Sequence, residues 1–279
     1  MKKVSLFKSF GALNCTPVFS AFETGLKKYN FDVVYDSMDA DVAVIWSVLW
    51  HGRMSGNREV WDHFRNLNKP VIVLEVGAVQ RGITWKIGLN GITRSALIIK
   101  SKDDYKHAVF SLLPWRQSGD HILICGQNDK SLLWKDMPKM GTWVSNVIEE
   151  IRGYTNMPIV FRPHPRCPVQ GIESYFKNVH RQVPTHILST YDSYDLNFNK
   201  THAVISWSSS PGSLAVIHGI PVYTSTDSFA YPVANKDFSN IIAPNMPDRE
   251  NWFVDFLNSE YTITELETGI PLKTLTKYI

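Results

Sequence analysis

Short apolar runs alternate with amphipathic helical patterns along most of this chain. In the first part, the patterns over residues 17–29 and 58–67 have the spacing of helices. Around them lie four largely apolar runs, at residues 4–7, 31–35, 42–46 and 71–74. Short apolar runs separated by helices are typical of the strands of a parallel sheet. The pattern therefore predicts a doubly wound α/β domain.

A turn-rich stretch at residues 117–120 interrupts this alternation, which then starts again. The second series has apolar runs at 121–125, 158–161, 203–205 and 221–224, with helical patterns at 142–152 and 211–218. We predict two Rossmann-like domains that face a central cleft, residues 1–118 and 119–279, with a C-terminal helix that can pack back on the first domain. In this α/β architecture a ligand binds beyond the carboxyl ends of the strands, so the polar residues that follow each strand form the candidate site.

Composition excludes several classes of protein. The 279 residues include 29 Lys and Arg against 26 Asp and Glu, without the runs of like charge that would predict a basic tail or disorder. No apolar run approaches the ~18 residues of a membrane span, and no signal-peptide pattern follows Met1, so we expect a cytoplasmic protein. Three separated cysteines without CxxC spacing predict neither a disulfide framework nor a zinc site.

The segment Arg162-Pro163-His164-Pro165-Arg166 directly follows an apolar run and would lie at the carboxyl end of a strand. Each proline fixes its own φ and restricts the residue before it, which makes the loop stiff. A stiff loop with two guanidinium groups and an imidazole is suited to binding phosphate, because guanidinium matches phosphate oxygens bidentately. We interpret Arg162, His164 and Arg166 as phosphate ligands; the alternative is a structural turn with solvated arginines.

A serine-rich turn also lies between a strand and a helix. Pro211 suits the first helical position, and Ser210 is a natural N-cap. Hydroxyl groups and free N–H groups at a helix N-terminus form an anion site, whereas the alternative is a plain N-cap with a polar linker. Together with the arginine loop, the turn predicts phosphate ligands at Ser208, Ser209, Ser210 and Gly212.

The turn Gly126-Gln127-Asn128-Asp129 follows the first strand of the second domain. Gly126 permits close approach of the backbone, and the side chains beside it are able to bind a base or a ribose. The same four residues also form an ordinary turn, so both interpretations stay open. We include Gly126 and Gln127 among the candidate nucleotide ligands.

In the first domain, Glu75 ends a strand and is followed by a glycine-bounded loop that carries Arg81. A carboxylate in this position is suited to remove a proton from a hydroxyl group, and a structural Glu75 paired with Arg81 is the alternative. His51 and Asp41 are rival candidates for the base. A lone histidine beside a tryptophan is more often packed in the core or on the surface, so His51 is the less favoured candidate for the base.

Trp46, Trp50, Trp61 and Trp85 cluster in the first domain. Most of them are expected in the core, but Trp50 or Trp85 on the cleft would stack on a sugar or on an extruded nucleobase. Five basic residues of this region are candidates for contact with a phosphodiester backbone, with solvated surface charge as the alternative: Arg53, Arg58, Arg81, Lys86 and Arg94.

The chain lacks GxGxxG, GKS or GKT, HExxH, GxSxG and kinase signatures. Instead, its segments resemble GT-B glycosyltransferases with two Rossmann-like domains, and they are similar to the bacterial capsular-polysaccharide and Kdo transferase families. The resemblance covers about half of the chain and rests on Glu75-x-Gly77 with Arg81, Gly126-Gln127, Pro163-His164-Pro165, Ser208-Ser209-Ser210-x-Gly212 and Gly219-x-Pro221-Val222.

In those families the His-Pro loop and the serine-rich turn bind the nucleotide of the sugar donor. The resemblance thus implies a nucleotide-sugar donor, most simply a UDP-sugar, held by the second domain without a required metal or other cofactor. Leu214 stands where those families usually have a glutamate, so the ribose contact expected from that carboxylate is missing.

The chain also resembles phage-encoded glycosyltransferases that attach a sugar to hydroxymethylated pyrimidines in DNA. That resemblance implies a double-stranded DNA acceptor carrying 5-hydroxymethylcytosine or 5-hydroxymethyluracil, and a place in the host cytoplasm. The acceptor would meet Trp50, Arg53, Arg81 and Trp85. A surface-glycan acceptor and a non-catalytic protein that binds nucleotide-sugar or DNA are the alternatives.

Overall fold

The computed structural model describes residues 1–94, 96–100, 111–185 and 195–279. The strands of these ranges are β1 (Lys3–Leu6), β2 (Asp32–Tyr35), β3 (Val42–Trp46), β4 (Val71–Val76), β5 (Thr84–Leu89), β6 (Leu97–Ile98), β7 (His121–Cys125), β8 (Ile159–Arg162), β9 (Val179–Arg181), β10 (Thr201–Ser206), β11 (Val222–Tyr223) and β12 (Glu260–Thr262). The α-helices are α1 (Thr16–Lys28), α2 (Asn57–Asn66), α3 (Met140–Arg152), α4 (Ile172–Tyr175), α5 (Ser210–Ile217), α6 (Glu250–Leu257), α7 (Ile263–Thr268) and α8 (Leu272–Leu275).

The first sheet has the strand order β12-β5-β4-β3-β1-β2, and β6 also pairs with β5. Strands β1 to β4 are parallel, as the alternation of apolar runs and helices predicts. Strand β5 runs antiparallel to β4, and β6 and β12 run antiparallel to β5. The short connection over residues 77–83 has no crossover helix, which a parallel neighbour would need. The sheet is therefore mixed, and its antiparallel part was not predicted.

The second sheet is parallel throughout its described strands, in the order β11-β10-β7-β8-β9. Each sheet is covered on both faces by separate clusters of buried apolar side chains. This burial explains why the parallel strands read as continuous apolar runs rather than as alternating ones. The predicted fold class, an α/β protein with two Rossmann-like sheets, is confirmed.

The C-terminal segment crosses from the second sheet back to the first. Helix α6 packs in the core of the second sheet, whereas β12 pairs with β5 and α7 packs on α1. A capping box of Thr262 and Glu265 begins α7, and Gly25 allows the backbone of Leu266 to lie close against α1. The predicted boundary near residue 118 stays a prediction, while residues 260–262 pair with the first sheet.

Backbone hydrogen bonds join the loops that follow β3 and β7. The N–H of Trp50 donates to the carbonyl of Lys130 over 3.1 Å, and the N–H of Leu132 donates to the carbonyl of Val48 over 2.9 Å. Leu49 and Ser131 form the antiparallel bridge between them. These contacts fix the two sheets with their carboxyl ends toward one another. Within the described ranges, no helix is long and apolar enough to span a bilayer.

Gly219 provides a test of the packing behind α5, because it combines a positive φ of 74° with a close neighbour. A Cβ at this position would overlap the carbonyl oxygen of Pro114, whereas a Cβ at Gly52, with a φ of 58°, meets open space. We expect Gly219→Ala to lower the free energy of unfolding by about 3 kcal/mol and Gly52→Ala by about 1 kcal/mol, the cost of the left-handed conformation alone. Urea titration monitored by circular dichroism measures both, and equal losses would contradict the packing described.

Candidate active site

A cavity of about 280 Å³ lies where the carboxyl ends of the two sheets meet. The loops after β3 and β4 and the strand β5 line its first-sheet wall, and the loops after β7, β8 and β10 line its second-sheet wall. This is the crevice in which α/β proteins of this architecture bind ligands. The cavity brings together ten of the predicted site residues: Glu75, Arg81, Gly126, Gln127, Arg162, His164, Arg166, Ser208, Ser209 and Ser210.

Arg162 is the last residue of β8 and is only 5% exposed. Its carbonyl accepts a hydrogen bond of 2.9 Å from the N–H of Gly126, which holds the two strand ends together. Its guanidinium forms an ion pair with Asp195, whose carboxylate also accepts hydrogen bonds from the N–H and hydroxyl of Thr185. Burial raises the pKa of Asp195, but the hydrogen bonds from Thr185 and the charge of Arg162 outweigh it, so the pKa lies below its ordinary value. Asp195 therefore keeps the guanidinium in place as a carboxylate.

The proline-flanked loop after Arg162 folds into a tight turn. The carbonyl of His164 accepts a hydrogen bond from the N–H of Cys167, and its Nδ1 accepts one of 3.1 Å from the N–H of Arg166. Because Nδ1 is an acceptor, the neutral ring carries its proton on Nε2. In this tautomer the hydrogen-bond donor of the imidazole is on Nε2, and His164 is one of the residues that line the cavity.

The serine-rich turn is fixed by Gln127. Its Oε1 accepts hydrogen bonds from the N–H and the hydroxyl of Ser208, over 3.1 and 3.2 Å. Helix α5 begins at Ser210, so Ser209 is the N-cap and the prediction of Ser210 for that position was wrong by one residue. The φ and ψ of Ser209, −76° and 153°, are those of the extended backbone that precedes a helix, which places its free side chain before the first turn.

Three buried polar atoms of the second-sheet wall have no hydrogen-bond partner among the described residues. They are Nδ2 of Asn128, Oγ of Ser209 and Nε of Arg162. The Oδ1 of Asn128 accepts from the N–H of Lys130, which fixes the amide so that Nδ2 is the unpaired atom. All three atoms can donate a hydrogen bond, and an unpaired buried donor costs about 1–3 kcal/mol. All three residues line the cavity, so its second-sheet wall is built from residues that hold unpaired hydrogen-bond donors.

The first-sheet wall carries the charged residues Glu75, Arg81 and Lys86. Glu75 and Lys86 are direct partners in the register of β4 and β5, so they lie on the same face of the sheet. Oε1 of Glu75 accepts a hydrogen bond of 2.8 Å from the N–H of Val76, which leaves Oε2 for a ligand or its proton. The wall thus presents a carboxylate beside cationic groups.

Two predicted aromatic contacts lie in the core instead of the cleft. Trp85 faces the buried cluster between the first sheet and α1, on the opposite face of β5 from Lys86. Trp50 packs on Trp61 with ring centroids 6.1 Å apart. Successive side chains of a strand point to opposite faces of the sheet, which fixes the orientation of Trp85. Trp50 lies in a loop, and no local sequence signal shows on which side of that loop its ring packs. Neither ring lines the cavity.

Four other predicted residues also lie outside the cavity lining. His51 immediately precedes the 3-10 helix Gly52–Gly56, Arg53 lies on it, and both residues are exposed. Asp41 precedes β3 at the amino end of the sheet, where its carboxylate accepts a hydrogen bond from the N–H of Lys3. Gly212 lies in the first turn of α5, where a Cβ would stand 2.7 Å from Oγ of Ser206, so it allows the helix to pack closely on β10.

Sequence reasoning missed several residues of the site or assigned them no role there. Asp227 and Phe229 line the cavity from the loop after β11, and Asn14 lines it from the loop before α1. Cys125 also lines it; burial raises the pKa of its thiol to about 12, so the group is neutral. Of these residues, Cys125 ends the predicted strand at 121–125, and its place at a strand end is the signal that could have found it. The described residues contain no cluster of three His, Cys, Asp or Glu side chains that would hold a metal ion.

Comparison with known proteins shows the fold. Two solved structures from Thermosulfurimonas dismutans, KpsC beta Kdo 2,4 transferase and KpsC beta Kdo 2,7 transferase, superpose on this chain with a TM-score of 0.53 each. They are 12% and 14% identical to it, and the matches cover 97% and 99% of this chain and 98% and 100% of theirs. The chain is therefore similar in fold to glycosyltransferases of the GT-B type over nearly its whole length.

Sequence comparison gives less. No protein-family model matches the chain. The asparagine synthetase domain-containing protein 1 of Bos taurus is 33% identical over 118 residues, which is 40% of this chain. The chain spans 18% of the length of that curated relative.

The ion pair of Asp195 and Arg162 predicts a stability that depends little on pH near neutrality. Asp195→Asn leaves the buried guanidinium of Arg162 without its carboxylate and so lowers the free energy of unfolding. Because Asp195 is one-third exposed, we expect a loss of about 1–3 kcal/mol, smaller than that for a fully buried pair. A carboxyl group with a lowered pKa contributes stability above its unfolded pKa and loses it only as the pH falls through the native pKa. Urea titrations should therefore show the same loss at about pH 7 and about pH 5.

Asp120→Asn is the matched control, because Asp120 pairs with Lys200 at an exposed site and should change stability by less than about 0.5 kcal/mol. A loss for Asp195→Asn that has disappeared by about pH 5 would show that this carboxylate is not held ionised by Arg162 and Thr185.

Proposed function

We propose that the chain is a glycosyltransferase, which moves a sugar from a nucleotide-sugar donor to the hydroxyl group of an acceptor. The observation that carries the proposal is that Asn128, Arg162 and Ser209, each with a buried donor that is unpaired among the described residues, line one cavity between the two sheets. A diphosphate offers enough acceptor oxygens to satisfy all three. The fold shared with the KpsC transferases supports the same assignment.

On the donor side, the second-sheet wall binds the diphosphate. The N-terminus of α5 and the hydroxyl group of Ser209 donate to its oxygens, and Arg162, His164 and Arg166 add cationic or N–H donors. Negative charge develops on the diphosphate as the bond to the sugar breaks. Groups that are already oriented toward that charge stabilise the transition state more than the ground state. The scheme assigns the whole of this stabilisation to protein groups and requires no metal.

On the acceptor side, Glu75 is the general base. Of the three predicted candidates for the base, Glu75 is the one that lines the cavity, since Asp41 and His51 lie elsewhere. Its carboxylate faces the same space as the second-sheet donors, so an acceptor hydroxyl bound between the walls would meet both the base and the sugar. Glu75 takes the hydroxyl proton as the acceptor oxygen bonds to the anomeric carbon of the sugar, and the bond from that carbon to the diphosphate breaks, so that the diphosphate leaves toward the second sheet.

The donor proposed is a UDP-sugar, because the set of donors and cations suits two phosphates better than one. The acceptor favoured by the sequence, a hydroxymethylated pyrimidine in double-stranded DNA, stays a proposal beside a surface glycan. Arg81, one of the residues on which the DNA acceptor rests, lines the cavity. Trp50 and Trp85, the predicted stacking residues, do not, so the structure adds no support for base stacking.

Ser209→Ala tests the donor site without disturbing an existing contact, because the Ser209 hydroxyl has no partner among the described residues. We expect the affinity for UDP, measured by isothermal titration calorimetry, to fall by about tenfold to a hundredfold, the value of a hydrogen bond to a charged group. The melting temperature should not change.

Ser206→Ala is the matched control. The Oγ of Ser206 is equally buried and unpaired among the described residues, but Ser206 is not a lining residue of the cavity and its hydroxyl lies beside Gly212 behind α5. UDP affinity should be unchanged in this variant. Equal effects of the two substitutions, or no effect of Ser209→Ala, would count against the proposed phosphate site.

Glu75→Gln separates binding from chemistry. The amide keeps the size of the side chain but cannot take a proton, so UDP affinity should persist while transfer falls by about 10²–10⁴-fold. Transfer is measured by mass spectrometry after incubation with UDP-sugars and hydroxymethylated DNA, plain DNA or oligosaccharide acceptors. A fully active Glu75→Gln variant would exclude Glu75 as the base, and a wild-type protein that neither transfers nor hydrolyses any donor would favour a non-catalytic binding protein.

A further inference from the structure

Lys86 is a buried cation on the acceptor side of the cavity. It lies on β5, is only 6% exposed, and lines the same space as Glu75. A lysine is almost never fully buried unless its charge is compensated and its N–H donors are used. Sequence reasoning named Lys86 only as one of several basic residues. Its surroundings give it a more specific role.

The strand register places Lys86 between two carboxylates. Lys86 is the direct partner of Glu75 across β4 and β5, and of Glu260 across β5 and β12. The three residues form a row on one face of the first sheet, while the neighbouring residues Trp85 and Tyr261 face the core on the other side. The C-terminal return of the chain therefore completes this row.

Glu260 compensates the charge of Lys86 but accepts no good hydrogen bond from its ammonium group. The Oε1 of Glu260 accepts a hydrogen bond of 2.7 Å from the N–H of Ala78, and Oε2 accepts from the N–H of Val79 and the hydroxyl of Thr84 over 3.0 and 2.6 Å. The Nζ of Lys86 is 3.6 Å from Oε1, beyond a good hydrogen bond. The rings of Phe229 and Phe256, with centroids 4.5 and 5.3 Å from Nζ, stabilise the cation but accept no conventional hydrogen bond.

Lys86 thus keeps a compensated charge with N–H donors that form no hydrogen bond within the described part of the chain. An ammonium held in this way costs free energy unless a ligand supplies oxygen atoms, and an anionic oxygen supplies the strongest bond. Of the other charged groups on this wall, Glu75 disfavours an anion and Arg81 favours it.

We propose that Lys86 binds a phosphate or carboxylate group of the acceptor, and so makes the enzyme selective for acceptors that carry an anionic group close to the reacting hydroxyl. The inference rests on the proposed function, because it assigns the second-sheet wall to the donor. The position of Lys86 beside Glu75, on the opposite wall from Arg162 and Ser209, places its ligand with the acceptor rather than with the donor diphosphate.

The test is a titration of inorganic phosphate into the protein saturated with UDP, which occupies the donor site. Wild-type protein should bind phosphate in a saturable manner, and Lys86→Met should weaken this binding by about tenfold or more while UDP affinity stays within about twofold. Lys86→Arg keeps the charge and should restore phosphate binding. Lys100→Met is the control, because Lys100 pairs with Asp255 on the surface and should change neither affinity.

Three results would overturn the inference. They are the absence of saturable phosphate binding to the wild-type protein with UDP, an equal loss of UDP affinity in Lys86→Met, and unchanged phosphate binding in that variant. The single variant leaves the Glu260 carboxylate without the cation that it compensates. If that variant does not fold, the double variant Lys86→Met with Glu260→Gln, which removes both charges, is used for the same titration. Failure of wild-type protein to bind UDP would instead overturn the proposed function, and phosphate binding by Lys86 is then measured without UDP.

Discussion

The site depends on one constraint, that the carboxyl ends of the parallel strands of two sheets are held facing the same space. Each sheet buries both faces, so ligands reach only the loops at the strand ends. The backbone bonds between residues 48–50 and 130–132 hold those loops together, and the strand β12 ties the end of the chain to the first sheet. The loops after β3, β4, β7, β8 and β10 then line the same cavity. The arginine loop and the serine-rich turn, separated by more than a helix in sequence, meet for this reason.

The same arrangement has an energetic cost. Buried donors on Asn128, Arg162 and Ser209 lack partners among the described residues, and the donors of Lys86 form no hydrogen bond there. A stability-optimised cavity would fill these positions with apolar side chains or satisfy them internally. The carboxylates of Asp195 and Glu260 compensate the two buried cations and fix their positions while leaving donors open. This combination is expected of a site that is preorganised for an anionic ligand.

The sequence predicted those parts of the structure that have a local signal. The apolar runs marked β3 and β7 to the residue, and the stiff loop at Arg162 and the turn at Ser208 were recognisable from proline, serine and their place after a strand. The row of Glu75, Lys86 and Glu260 was not predictable, because it forms only when the register of β12 on β5 joins distant segments. Trp85 shows the same limit: a shift of one position along β5 separates a core residue from a cleft residue. Asp195 likewise reaches Arg162 only in the folded chain.

A crystal structure of the protein with UDP tests the central claim most directly. The account predicts that both phosphates lie between the proline-flanked loop and the start of α5, with their oxygens within hydrogen-bonding distance of Arg162 Nε, Ser209 Oγ and Asn128 Nδ2. A diphosphate bound on another surface, or one in the cavity that leaves these three atoms unpaired, would contradict it.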